Sequence, residues 1–269
     1  MPNLIDADAR SELALARAVL YRIAGLAFRH PGAEWREQWM SAADGAREAA
    51  LACRELDGSP AELAGAVEAA LSCRLPIDEI TAEHARVIGH TPRASTTPYE
   101  TEWSGAAGEL LQFHQLSDIS AFYNAFCLEL GSRCDERADH ISIELEFMHF
   151  LAVKEAWAEE QRLHDLAGLC RDTARKFLSE HLARWAPGFC NRVGLASRGG
   201  FYARAAALLR AFLEDECRRL GAAEGDAALA PGATSFRPED ACFGCGHAAA
   251  CLVDLKGAAG DQEAVDAHP

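Results

Sequence analysis

No stretch of this 269-residue chain approaches the roughly 20 consecutive apolar residues that a bilayer-crossing helix needs. The opening residues, MPNLIDADARSEL, are polar and acidic and carry no apolar secretory segment, so a cytoplasmic protein is expected. Positive charge is in deficit: 26 Lys and Arg stand against 41 Asp and Glu, a formal charge of −15. That balance disfavours nonspecific attraction to nucleic acid or to an anionic membrane surface and suits a basic or amphipathic polypeptide partner. Sustained period-two alternation is nearly missing, which removes most strands from the expected fold. No glycine loop of the P-loop type follows a strand, so a nucleotidase would have no phosphate cradle. No Ser–His–Asp or paired-cysteine catalytic arrangement can be picked out from sequence order either.

What is present is the ordinary globular balance of 49% hydrophobic and 25% charged residues, in a chain long enough for one large domain or two small ones. Apolar residues recur at helical spacing over 8–29, 33–56, 60–74 and 77–88, broken by His30-Pro31-Gly32, DGSP and LP. Helices are expected again over 110–130, from Asp139 as N-cap to about Glu160, and over 163–184 and 199–221, with Pro187 and Gly199-Gly200 as breaks. The fold class is therefore all-α: a bundle of about eight to ten helices over 1–221, a flexible linker over 222–240, and a cysteine-bearing segment with an acidic tail over 241–269.

Between the fourth and fifth of these helices lies GHTPRASTTPYETEWSGAAG, residues 89–108, too long for a simple connection. Loops of this length inside compact domains are usually functional or disordered, and this one carries Tyr99 and Trp103, which favour the functional option. Further on, ADHISIELEFMHF, residues 138–150, places Glu144, Glu146 and His149 in a helix apolar nearly all round. A buried carboxylate must be protonated, hydrogen-bonded or paired. Three roles are open to these acids: an internal cation partner, a metal (Glu146 and His149 form one Glu-x-x-His element, without a second copy), or a groove that meets a cationic ligand.

Seven of the ten cysteines are scattered singly between Cys53 and Cys217 and read as small buried hydrophobes. Cys242, Cys245 and Cys251 instead cluster with His247, at a spacing that lets several ligands converge on zinc or an iron–sulfur cluster, with Cys217 as an alternative fourth ligand. This cluster supports a rival reading in which the chain is a small iron–sulfur or zinc protein, a redox carrier or enzyme subunit, and the helices are scaffold.

Asp139-His140 followed by Glu144-Leu145-Glu146-Phe147-Met148, the block Gln115-Leu116 to Phe122-Tyr123 with Phe126, and Pro98-Tyr99-Glu100 together resemble the TorD/DmsD group of molybdoenzyme maturation chaperones. The resemblance covers about residues 10–220. It departs at Ala138, where family members often have proline, and it does not extend to the C-terminal cysteines. It implies an all-helical, non-enzymatic protein, monomer or homodimer, without a certain cofactor. Its members bind the apo catalytic subunit of a molybdenum-cofactor oxidoreductase, often through its twin-arginine signal peptide, and hold it until the cofactor is inserted; some bind guanine nucleotide weakly. Carried over, the client-binding patch comprises Tyr99, Glu100, Asp139, His140 and Glu144, with Trp103 and Phe126 as groove walls. On helix geometry Asp139, His140 and Glu144 are expected to reach the client and Glu146 to meet an internal cation, with Asp139 and Glu100 the better exposed acids. An Asp139→Ala, Glu144→Ala double variant is accordingly expected to weaken client binding and leave folding intact.

Overall fold

The computed structural model describes residues 7–89, 95–103, 109–131, 134 and 136–232, with the side chains of 109–111 excepted. The chain divides between Ala233 and Thr234, and all described residues lie in the first unit. Cys242, Cys245, His247 and Cys251 lie outside the described residues.

Helix α1 (Ala7–Phe28) runs through the centre, with Leu20, Tyr21, Ile23, Ala24, Ala27 and Phe28 closed to solvent. It packs against α2 (Trp35–Asp57) and, most extensively, α6 (Ile141–Glu160). Helix α2 stops at Gly58, whose φ of 68° suits a residue without Cβ and whose N–H reaches back to the Arg54 carbonyl at 3.0 Å. Helices α3 (Ala61–Leu71) and α4 (Ile77–Val87) each begin just after a proline, whose fixed φ sets the entry angle. Helix α5 (Glu109–Ala125) ends five residues short of the expected boundary, in a turn where exposed Cys127 takes a φ of 56°. Cys127 therefore departs from the expected burial of the single cysteines; Cys53, Cys170, Cys190 and Cys217 follow it.

The region expected to break at Pro187 does not break. Helix α7 (His164–Phe177) passes through a π turn, Leu178–Leu182, into α8 (Ala183–Ser197), with Pro187 inside it. Proline has no N–H for the carbonyl four residues back, and here the freed Ala183 carbonyl accepts from Gly225 N–H at 2.9 Å. A Cβ on Gly225 would collide with the Ala183 and Arg184 carbonyls, so only glycine allows this approach. Residues 222–232, expected as flexible linker, lie along α8: Asn191 donates to the Ala227 carbonyl at 3.1 Å, and Gly232 N–H reaches the Glu102 carbonyl at 2.9 Å.

The last helix, α9 (Phe201–Leu220), is started by a neighbour: the Glu83 carboxylate of α4 accepts from Phe201 N–H at 2.9 Å, where the helix dipole favours negative charge. It is tied to α1 and α6 by buried Arg17, which donates from Nε to Glu216 at 2.9 Å and from Nη1 to Glu155 at 2.7 Å. With α7 and α8 continuous, the described residues form eight helical rods, and the structure is all-α as expected; its only strand-like feature among them is one isolated bridge between Tyr99 and His140. No helix among the described residues is long and apolar enough to cross a membrane.

Candidate functional site

That bridge is where the motifs that carry the resemblance meet. Ile141 N–H donates to the Pro98 carbonyl (2.8 Å) and Glu100 N–H to the Asp139 carbonyl (2.9 Å), so loop 95–103 is laced to the start of α6. Asp139 is fully buried beneath this lacing and does not cap α6 as expected. Its Oδ2 accepts from Thr101 N–H (3.2 Å), Thr101 Oγ1 (2.7 Å) and Arg137 Nη2 (2.6 Å). The cap is His140, whose extended backbone lets Nδ1 accept from Ser142 N–H at 3.2 Å. Tyr99, half-buried, donates its hydroxyl to Glu136 (2.9 Å) and lies under the Arg137 guanidinium, 4.6 Å from the ring centroid. Burial, and then Glu136, push the Tyr99 hydroxyl well above its usual pKa.

Two further parts of the patch are buried. Trp103, expected as a groove wall, is 1% exposed: its Nε1 donates to the Thr97 carbonyl at 2.9 Å, and its ring packs near Trp185 and Phe189. Glu144 is fully buried, accepting from Trp185 Nε1 at 3.2 Å, and Glu100 is buried beside it. Burial first, and then the adjacent charge and hydrogen bond of Glu100, hold the Glu144 pKa well above the ordinary carboxylate value. The shift favours the protonated form of Glu144, and Glu100 Oε2 and Glu144 Oε1 are the two buried oxygens of this pair that no donor satisfies. The remaining Glu100 oxygen, Oε1, is held by Gln115 and by His181 Nδ1, the latter at 3.1 Å.

Glu146, assigned to an internal cation by helix geometry, is instead exposed. It stands on a groove of about 810 Å³ between α6 and the chain that follows α5. Tyr123, Leu128, Ile143, Phe147, Phe150 and Val153 give this groove an apolar lining, and Glu129, Glu136 and Glu146 give it acids, against one arginine, Arg29. His149 also lines it, with Nδ1 held by the Ala18 carbonyl at 2.8 Å. Half-buried Phe126 is not in the lining but stacks edge-on against two lining residues, Phe147 (6.0 Å) and Phe150 (5.9 Å). Leu128, Glu129, Leu130, Gly131, Cys134 and Glu136, which follow α5 and were not expected in the site, therefore supply part of the lining. The signal was two acids, Glu129 and Glu136, flanking the turn.

Cys217, the alternative fourth metal ligand, is 3% exposed. Burial, and then nearby Glu224 and Glu216, push its thiol up to about 12, which keeps it protonated at neutral pH.

The fold and this groove define an all-helical bundle protein. The family model described as "Nitrate reductase delta subunit" matches residues 54–191, and the chain belongs to this TorD-like family. It is similar to the chaperone protein TorD of Photobacterium profundum, 25% identical over 136 residues that make up 51% of this chain and 61% of the relative. It is also similar to the chaperone protein TorD of Vibrio cholerae serotype O1, 25% identical over 138 residues covering 51% of this chain and 60% of the relative. A shorter match, 39% identical over 70 residues, 26% of this chain and 30% of the relative, is to a perchlorate reductase assembly chaperone protein of Dechloromonas aromatica. The chain thus spans 60–61% of the length of these two TorD relatives.

Proposed function

We propose that this chain is a cytoplasmic, non-enzymatic maturation chaperone. In this reading it binds the apo catalytic subunit of a molybdenum-cofactor oxidoreductase, including its twin-arginine signal peptide, and assists cofactor insertion and assembly before export. The observation that carries the reading is the groove: an apolar floor flanked by Glu129, Glu136 and Glu146. A signal peptide offers an arginine pair followed by an apolar stretch, and carboxylates beside an apolar surface meet both parts, the first through charge-assisted, bidentate contacts. The names of the relatives, TorD chaperones and a perchlorate reductase assembly chaperone, point the same way. Tyr99, Glu100, Asp139, His140 and Glu144 then serve the groove by fixing loop 95–103 against α6, and Glu146 with Glu129 makes the client contact. Cys242, Cys245, His247 and Cys251 are read as a separate segment for zinc or an iron–sulfur cluster.

The test is a titration with a fluorescent twin-arginine signal peptide of a molybdoenzyme at low and high salt. Glu129→Gln with Glu146→Gln, both exposed, is expected to weaken binding about tenfold or more at low salt and to flatten the salt dependence. Equal affinity and equal salt dependence in that variant contradict the reading.

A further inference from the structure

A second constellation lies outside the groove. The π turn Leu178–Leu182 brings Glu180 and His181 together opposite Asp118 of α5, with one ligand atom from each of the three within 4.8 Å of the others. Exposed acids gather for many reasons, so the weight falls on His181. Its side chain is 3% exposed, and Nε2 makes no hydrogen bond. Asp118 Oδ2 stands 3.4 Å away without hydrogen-bonding geometry. The other ring nitrogen, Nδ1, is engaged by the buried Glu100 carboxylate at 3.1 Å. A carboxylate behind Nδ1 favours the proton there and leaves Nε2 as an unpaired acceptor within 4.8 Å of the two acids, the arrangement that orients a metal-ligating histidine. A π turn is also the kind of helix irregularity that recurs at functional sites.

We propose that Asp118, Glu180 and His181 form a binding site for a divalent transition-metal ion of the zinc type, with Glu100 orienting His181 from behind. One imidazole and two carboxylates suit zinc, whereas magnesium prefers an all-oxygen octahedron. Asp118 and Glu180 have side chains 61% and 47% exposed, free to close by the ångström or two that coordination distances of about 2 Å require. Lys176 Nζ, 3.8 Å from Glu180 Oε2 and 60% exposed, swings aside. The bound ion ties α5 to the π turn.

The test uses the full chain carrying Cys242→Ser, Cys245→Ser, His247→Ala and Cys251→Ser, so that the C-terminal cluster holds no metal. Calorimetry with zinc chloride is expected to show one equivalent bound and a raised Tm, with no response to magnesium. Adding Asp118→Asn and Glu180→Gln, both at exposed positions, is expected to weaken zinc binding at least tenfold and abolish the Tm shift, with the circular dichroism unchanged. Cobalt(II) in the site is expected to give only weak visible bands, without the intense near-ultraviolet absorption of thiolate ligands. No zinc uptake by the four-substitution chain, or unchanged affinity after the two further substitutions, overturns the proposal.

Discussion

Glu144 shows how one side chain can carry a family motif without touching a ligand. It is fully buried between Trp185 and Glu100. Its folded pKa is raised above the ordinary value near 4.5, so the folded state binds this proton more tightly than the unfolded chain does. The contribution to stability is complete at low pH and is lost as pH rises from about 4.5 through the folded value. Glutamine is neutral at every pH and can donate to Glu100 while accepting from Trp185. Glu144→Gln should therefore gain stability relative to the parent as pH rises above about 4.5 towards the folded value, by up to about 1.4 kcal/mol per pH unit. Urea unfolding at several pH values measures this; parallel curves for the two proteins would show that Glu144 is ionised in the fold. Asp139 behaves differently, because alanine there strips Arg137 and Thr101 of their shared acceptor. The Asp139→Ala, Glu144→Ala pair thus fails to separate binding from folding, contrary to the expectation from sequence.

The tie between α1, α6 and α9 is the clearest case at the scale of elements. Glu216 is buried, which alone would raise its pKa, but Arg17, with Arg219 and the Tyr21 hydroxyl, holds it below the usual range. A depressed carboxylate stabilises the fold above its unfolded pKa and ceases to do so as pH falls through the folded one, the opposite sense to Glu144. Arg17→Ala leaves Glu216 and Glu155 without their common cation, and a loss of about 3–5 kcal/mol is expected in urea unfolding at pH 7. A loss below about 1 kcal/mol would mean that Arg171 and Arg219 already suffice.

Most helix bounds were legible, since capping glycines and preceding prolines act locally: α2, α3, α4 and α9 end within about three residues of their expected limits. Helix α8 was not legible, because the donor that lets Pro187 sit inside it comes from Gly225, 38 positions away. The site was legible only in part. Motif reading found the laced segments, but the first half of α6 is apolar nearly all round, so periodicity could not decide which acid faces in. Only its packing against α1 and the neighbours of Trp185 settles that Glu144 turns inward and Glu146 outward.

For the molecule as a whole, the buried latch and the groove divide the work. Asp139, Arg137, Thr101 and the Glu100–Glu144 pair fix a loop against the central helix, and that fixed edge stands beside an open apolar channel. On the proposed function, a net charge of −15 favours the approach of a cationic client segment. The most direct measurement of this account places a photo-crosslinking residue at Val153, a groove position 38% exposed, in the full chain co-expressed with a molybdoenzyme catalytic subunit. The account predicts a crosslink mapped to the apolar stretch following the arginine pair of the client, diminished by Glu129→Gln with Glu146→Gln. A crosslink confined to other parts of the client, or one indifferent to those substitutions, would contradict it.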